Sequence, residues 1–140
     1  MKIVKIEKIS DTDLTNINKL LPQLSASAQS LDHATLTNII ESDCSHVLIA
    51  RENEEIFGML TLVVFQIPTG VRAWIEDVVV SENARGKGVG RLLIEEAIRL
   101  AKENNAKTID LTSRPTREAA NRLYQKIGFQ QRETNVYRIS

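Results

Sequence analysis

One stretch, from Trp74 to Leu100, constrains the fold most, because it joins three kinds of local structure without a gap. Ile75–Val80 is a short apolar run rich in β-branched residues and predicts a buried strand. A glycine-rich basic loop, RGKGVG, follows at residues 85–90. From Arg91 apolar residues recur at helical spacing and predict a long helix. Its buried face is predicted to contain Leu92, Leu93, Ala97, Ile98 and Leu100.

This strand–loop–helix sequence predicts an anion site. The first turn of a helix has N–H groups without partners and the positive end of the helix dipole. Glycines let the backbone approach an anion closely. Arg85, Lys87 and Arg91 add positive charge. The loop can therefore hold a diphosphate mainly through backbone donors.

The loop matches one phosphate-binding pattern better than the others. It lacks the Ser or Thr of a Walker A loop, and its glycine spacing differs from that of the dinucleotide fingerprint. It fits Arg-x-x-Gly-x-Gly, with Arg85, Gly88 and Gly90, and so resembles the pyrophosphate loop of the GNAT superfamily of acetyl-CoA-dependent N-acetyltransferases. The alternative is an ordinary strand-to-helix turn.

The order of predicted elements resembles the same family over almost the whole chain. It runs β-α-α-β-β-β-α-β-α-β-β, and the resemblance implies an α/β (α+β) GNAT fold. Such a fold has a mixed sheet of six to seven strands flanked by about four helices, here in a single domain over residues 1–140. Ser10 and Asp32 are predicted to cap the first two helices, and Pro22 to end the first. Phe129–Glu133 and Asn135–Ile139 are predicted to form a final hairpin.

A second motif lies in the last predicted helix. Asn121 and Tyr124 are three residues apart and share one helix face, and Gly128 follows at a C-cap position. The spacing is similar to that in the last helix of GNAT enzymes. The alternative is a core tyrosine beside a solvated asparagine.

The resemblance implies a set of residues that bind acetyl-CoA. The pantetheine arm is expected along the fourth strand and the diphosphate on the glycine-rich loop, where a bulky residue at Gly88 or Gly90 should abolish binding. The predicted cofactor-binding residues are Val78, Val79, Val80, Arg85, Gly86, Lys87, Gly88, Val89, Gly90, Arg91, Asn121 and Tyr124.

The resemblance also implies acyl transfer to an amine. An amine with a pKa near ~10.4 arrives protonated, so a carboxylate must take its proton. Glu76 and Asp77 are both candidates, with a slight preference for Asp77, and strand alternation predicts that only one of them faces the acceptor. Tyr124 is predicted to protonate the leaving thiolate, and the backbone N–H of Val78 to stabilise the thioester oxygen.

Composition limits the other functions. The chain has 18 basic and 18 acidic residues, which argues against non-specific nucleic-acid binding. It has one cysteine, Cys44, and no apolar run long enough for a membrane span, so we expect a cytoplasmic protein without disulfides or membrane contact. His33 and His46 lack metal-ligand spacing and are expected at the polar surface or at a helix cap, so no metal is predicted.

The acceptor cannot be read from the sequence. A primary amine on a small molecule is the first hypothesis. A protein or peptide N-acetyltransferase and a non-catalytic acyl-CoA-binding regulatory module are the alternatives. The resemblance also implies a homodimer, formed through the last hairpin.

Overall fold

The computed structural model describes residues 1–140 as a mixed five-stranded sheet with strand order β1-β2-β3-β4-β5 and helices on both faces. The predicted α+β class and the element order up to the fourth helix are confirmed. The elements are β1 (Lys2–Lys5), α1 (Asp11–Leu24), α2 (His33–Glu41), β2 (Ser45–Glu52), β3 (Glu55–Ile67), β4 (Gly70–Val80), a 3-10 turn (Glu82–Ala84), α3 (Val89–Glu103), β5 (Thr108–Asp110) and α4 (Glu118–Ile127).

The sheet separates two hydrophobic clusters. The strands β1 to β4 pair antiparallel, whereas β5 pairs parallel to β4. On one face, residues such as Leu60 and Ile75 pack against α3 and α4. On the other face, residues such as Ile49 and Met59 pack against α1 and α2. None of the helices is both long and apolar enough to cross a membrane.

The predicted caps of the first two helices are confirmed. The Asp13 N–H donates to Ser10 Oγ (3.1 Å), and the Thr35 N–H donates to Asp32 Oδ1 (2.7 Å). The predicted end of α1 at Pro22 is wrong, because the helix continues to Leu24. Proline removes one N–H but keeps a helical φ, so a final turn can still form around it.

The close packing of α3 on the sheet explains Gly58 and corrects one predicted contact. A Cβ atom on Gly58 would lie 3.0 Å from Leu93 Cδ1 and from the carbonyl oxygen of Val79. Leu93 and Ala97 are buried as predicted, but Leu92 is 43% exposed. The buried stripe instead includes Val89, Ile94 and Ala101, which lie three or four residues from Leu93 or Ala97 and so share their face of the helix.

The predicted final hairpin is not formed. The structure contains no strand after α4, and so the sheet has five strands rather than six or seven. Val136, Tyr137 and Ile139 are 73%, 87% and 101% exposed. A strand depends on pairing and burial more than on its own sequence preference, and this segment has neither here.

His46 is also placed differently from the sequence prediction. It is buried on β2, its Nδ1 has no hydrogen-bond partner, and burial together with the nearby Lys5 charge lowers its pKa. Its burial depends on contacts with distant parts of the chain, which sequence reasoning could not foresee for an isolated histidine.

An ion pair joins the start of α1 to β2. Arg51 donates from Nη1 and Nη2 to the two carboxylate oxygens of Asp13, at 2.8 and 3.0 Å. Asp13 is buried, and the hydrogen bonds from Arg51 are the main reason that its pKa lies below its ordinary value of 3.8. The contact fixes the first turn of α1 against the sheet.

We expect Asp13→Asn to lower the free energy of unfolding by about 1–3 kcal/mol at neutral pH, because Arg51 loses its charged partner. The native carboxyl has a lowered pKa, so its contribution is complete above about pH 4 and is lost as the pH falls through the native pKa. Urea denaturation of both proteins between pH 2 and 7 measures this. Glu96→Gln, which breaks an exposed pair with Arg99, is the control and should cost less than ~0.5 kcal/mol. An equal loss in both variants would contradict the assignment.

Candidate active site

The strands β4 and β5 separate and leave part of β4 unpaired. Their parallel ladder joins Arg72–Trp74 to Thr108–Asp110 only, whereas β4 continues to Val80. The Ser81 N–H donates to the carbonyl oxygen of Phe57 on β3 (2.8 Å). Because backbone groups alternate in direction along a strand, those of Val78 and Val80 face the open side. The structure therefore contains a cleft edged by free backbone donors and acceptors.

A β-bulge lies at the start of this unpaired segment. Thr61 pairs with Glu76 and Met59 pairs with Val79, so Asp77 and Val78 together stand opposite one residue of β3. Asp77 has φ +53°, in the left-handed region that L residues rarely adopt. The core-facing side chains of β4 accordingly change from Ala73 and Ile75 before the bulge to Val78 and Val80 after it.

The bulge changes what strand alternation predicts for the two acids. Both Glu76 and Asp77 are exposed, so the expected choice between opposite faces does not apply in its simple form. Glu76 lines an open cleft together with Trp74 and Thr112, and Asp77 does not.

The glycine-rich loop needs glycine for its backbone conformation at two positions. Gly86 and Gly88 have φ of +79° and +78°, and no atom would lie within 4 Å of an added Cβ at either. Gly90 lies inside α3, and its added Cβ would make ordinary contacts of 3.6 Å with Leu123 and Val80. Conformation rather than space therefore requires the first two glycines.

The same loop presents free hydrogen-bond donors. Helix α3 begins at Val89, and the N–H of Leu92 makes its first backbone bond, to the carbonyl of Gly88. The N–H groups of residues 86–91 donate to no other atom of the chain with good hydrogen-bond geometry. Arg85 and Lys87 form no ion pair, whereas Arg91 Nε donates to Glu95 (2.6 Å). The loop has the donors and the charge that an anion requires.

Tyr124 lies on α4 at the edge of the core. It is buried, and its ring meets that of Phe129 edge to face, with centroids 6.1 Å apart. Burial raises the pKa of its phenol, although the positive charge of Arg117 acts in the opposite direction. The hydroxyl therefore keeps its proton at neutral pH and can donate it.

The loop between β5 and α4 contains Ser113 and is bonded to Asn121 of α4. The Asn121 Nδ2 donates to the carbonyl of Arg114 (3.0 Å) and holds this loop against α4. Ser113, which the sequence analysis did not identify, has a buried Oγ without any hydrogen-bond partner. A serine just beyond β5 has no sequence signal of its own, and only the structure reveals an unpaired buried hydroxyl there. No group of three or more His, Cys, Asp or Glu side chains could hold a metal ion.

The sequence matches one known protein family over most of its length. The profile of the acetyltransferase (GNAT) family matches residues 13–129, which include β4, the glycine-rich loop and α4. The chain belongs to the GNAT acetyltransferase family. Members of this family use acetyl-CoA.

Several characterised proteins resemble this GNAT chain. The PanD regulatory factors of Salmonella typhimurium (strain LT2) and Escherichia coli (strain K12) are 28% and 27% identical over 99 residues, or 71% of this chain and 67% of theirs. A transcriptional regulator from Bacillus halodurans C-125 superposes with a TM-score of 0.84 at 26% identity, over 99% of this chain and 100% of its own. The aminoglycoside N-acetyltransferase AAC(6')-Iy, solved in complex with CoA, has a TM-score of 0.81 at 18% identity over 99% and 93%. This last likeness is one of fold.

The bulge makes a prediction about stability. Asp77→Val should lower the free energy of unfolding by about 1–2 kcal/mol, because a β-branched residue is disfavoured at positive φ. Asp77→Gly should stay within ~0.5 kcal/mol of the native protein, since glycine tolerates this conformation. Urea denaturation measures both. Glu76→Val is the matched control at a neighbouring exposed position with ordinary φ, and a native-like Asp77→Val would contradict the strained backbone.

Proposed function

We propose that the protein is an N-acetyltransferase that moves an acetyl group from acetyl-CoA to a primary amine of a small molecule, by direct attack in a ternary complex. The observation that carries this proposal is the separation of β4 from β5 next to a loop with free N–H groups. Together they provide an extended row of backbone partners that ends at an anion site. Acetyl-CoA has the same arrangement, with amides along its arm and a diphosphate beyond them.

The residues present fit acetyl-CoA as the cosubstrate. The free backbone groups of Val78 and Val80 would bind the amides of the arm. The side chain of Val79, which is buried in the cluster under α1 and α2, would keep the strand in place. The N–H groups of residues 86–91, with Arg85 and Lys87, would bind the diphosphate. The buried Ser113 hydroxyl offers one further unpaired donor near the end of β5. Asn121 would act on this site mainly by holding the Arg114 loop.

The acceptor amine must lose a proton before it attacks. We propose Glu76 as the base, because it lines the open cleft and no cation of the chain is paired with it. Asp77 stays the alternative base, and its position in the bulge gives it a structural role as well. The new bond joins the amine nitrogen to the acetyl carbon, and the carbon–sulfur bond breaks.

Tyr124 is the proposed acid for the departing sulfur. Burial raises the pKa of the phenol above its ordinary ~10, so the phenol is protonated at neutral pH. It can donate a hydrogen bond, and with it the proton, to the sulfur as the carbon–sulfur bond breaks. The N–H of Val78, on the open side of β4, is the proposed donor to the thioester oxygen.

A regulatory acyl-CoA-binding module is the second candidate function. It is favoured by the similarity to the PanD regulatory factors. In this reading the loop and the cleft bind acetyl-CoA without transfer, and binding changes a contact with another protein. Acetylation of a protein or peptide amine is the alternative within the enzyme class.

The remaining expectations stay predictions. They are a homodimer and a cytoplasmic location. The exposed Tyr137 and Ile139 support the first, because apolar side chains of this size are commonly covered in an assembly.

The loop conformation generates a binding prediction. Gly88→Ala should weaken acetyl-CoA binding at least about tenfold, since a Cβ at φ +78° costs roughly 1–2 kcal/mol and displaces the N–H groups. Isothermal calorimetry measures the change. Gly90→Ala should weaken binding less than Gly88→Ala, because its φ carries no strain.

The control for this prediction lies at the other end of the same helix. Asn105 has φ +65°, so Asn105→Ala introduces comparable backbone strain away from the loop. Its acetyl-CoA affinity should equal that of the native protein. Undiminished affinity in Gly88→Ala would refute the loop as the diphosphate site.

Catalysis is tested by thiol release from acetyl-CoA in the presence of an amine panel. We expect amine-dependent release by the native protein. Tyr124→Phe should lower kcat by about 10²- to 10⁴-fold and lower acetyl-CoA affinity far less, because the change removes the proton donor and keeps the ring. Tight acetyl-CoA binding without release for any amine would favour the regulatory module. Equal kcat in the two proteins would exclude Tyr124 as the acid.

A further inference from the structure

The cleft beside Glu76 has a composition that restricts the acceptor. It has a volume of about 360 Å³, which suits a small molecule. Its lining consists of Val63, Trp74, Glu76, Thr112, Val136 and Arg138.

The floor of the cleft is the part of the sheet that the helices leave uncovered. Leu62, Ala73 and Ile75 face the α3 side, so the alternating neighbours Val63, Trp74 and Glu76 face the opposite side. Thr112 lies just beyond β5, at the end where β4 and β5 separate. The cleft therefore adjoins the segment of β4 proposed to hold the acyl group.

The wall of the cleft comes from the C-terminal segment. Val136 contributes an apolar surface and Arg138 a guanidinium group. The two charged residues of the lining, Glu76 and Arg138, are too far apart for an ion pair, and neither pairs with any other charge of the chain. Opposite charges are thus present in one cleft with space between them.

Trp74 lies on the same strand face as Glu76, two residues away. An indole face attracts a cation, and the apolar Val63, which pairs with Trp74 across β3 and β4, reduces the water around it. The cationic end of a ligand is therefore favoured at Trp74 and Glu76, and an anionic end at Arg138.

We infer that the acceptor is a compact zwitterion, a primary amine that also carries a carboxylate or a phosphate. Its ammonium group binds beside Trp74 and gives its proton to Glu76, and its anionic group accepts hydrogen bonds from Arg138. This inference rests on the proposed acyl transfer, in which the amine nitrogen gains the acetyl group and CoA leaves as the thiol. Arg138 is a specificity residue and takes no part in the chemical step.

The test compares matched amines that differ only in the anionic group. One pair is 4-aminobutyrate and 4-aminobutyramide, and the other is O-phosphoethanolamine and ethanolamine. The native enzyme should have a kcat/KM at least about tenfold higher for the zwitterion of one pair than for its partner, and the better pair identifies the anion as carboxylate or phosphate.

Substitution of Arg138 should remove this preference. Arg138→Gln is expected to raise KM for the zwitterion about 10- to 100-fold, the usual effect of a lost charge-assisted hydrogen bond. KM for the partner amine without the anionic group should stay unchanged. Arg132→Gln is the matched control, since Arg132 belongs to the same exposed segment but does not line the cleft. Equal kcat/KM within both pairs, or an unchanged preference in Arg138→Gln, overturns the inference.

Failure of the acyl transfer itself is distinguishable. If no amine is acetylated, calorimetric titration of the same four amines still tests recognition. Binding of a zwitterion that Arg138→Gln abolishes supports the charge pairing while refuting transfer. Absence of binding for both zwitterions overturns the inference.

Discussion

The structure depends on an incomplete pairing between two parallel strands. In most sheets the backbone donors and acceptors of an inner strand are satisfied on both sides, since an unpaired buried group costs ~1–3 kcal/mol. Here β5 is short and pairs only with Arg72–Trp74, so the rest of β4 is bonded on one side alone. Those groups either meet water in the cleft or bind a ligand of matching length. The separation thus creates the proposed site, and residues outside the helices line the cleft beside it.

The bulge at Asp77 belongs to the same feature. An extra residue in β4 kinks the strand and changes which side chains face the core after it. Val78 and Val80 then pack toward α3, while Val79 packs under α1. A strained aspartate at this point is sustained by the well-packed strands around it, as expected for strain stored next to a functional site.

The two parts of the proposed site, the glycine-rich loop and the cleft beside Glu76, would bind their ligands through different kinds of contact. At the loop, positive φ at Gly86 and Gly88 leads the backbone into α3 with its N–H groups free, so the proposed binding of the diphosphate would depend on backbone geometry. In the cleft, the proposed contacts with the acceptor come from the side chains of Trp74, Glu76 and Arg138, which can vary without changing the fold. This division explains how members of one family can share a cosubstrate and differ in what they modify.

The sequence by itself determined the element order up to α4, the N-caps of α1 and α2, the glycine loop and the C-cap of α4 at Gly128, because these follow from local periodicity and turn chemistry. The tertiary structure alone decided four features: the bulge at Asp77, the burial of His46, the unpaired hydroxyl of Ser113 and the absence of the final hairpin. Each depends on which segments lie beside one another. A strand forms only if a partner pairs with it, and a buried hydroxyl is left unpaired only when no donor or acceptor of another segment lies within reach. Such conditions arise from contacts between distant residues, which no local pattern in the sequence records.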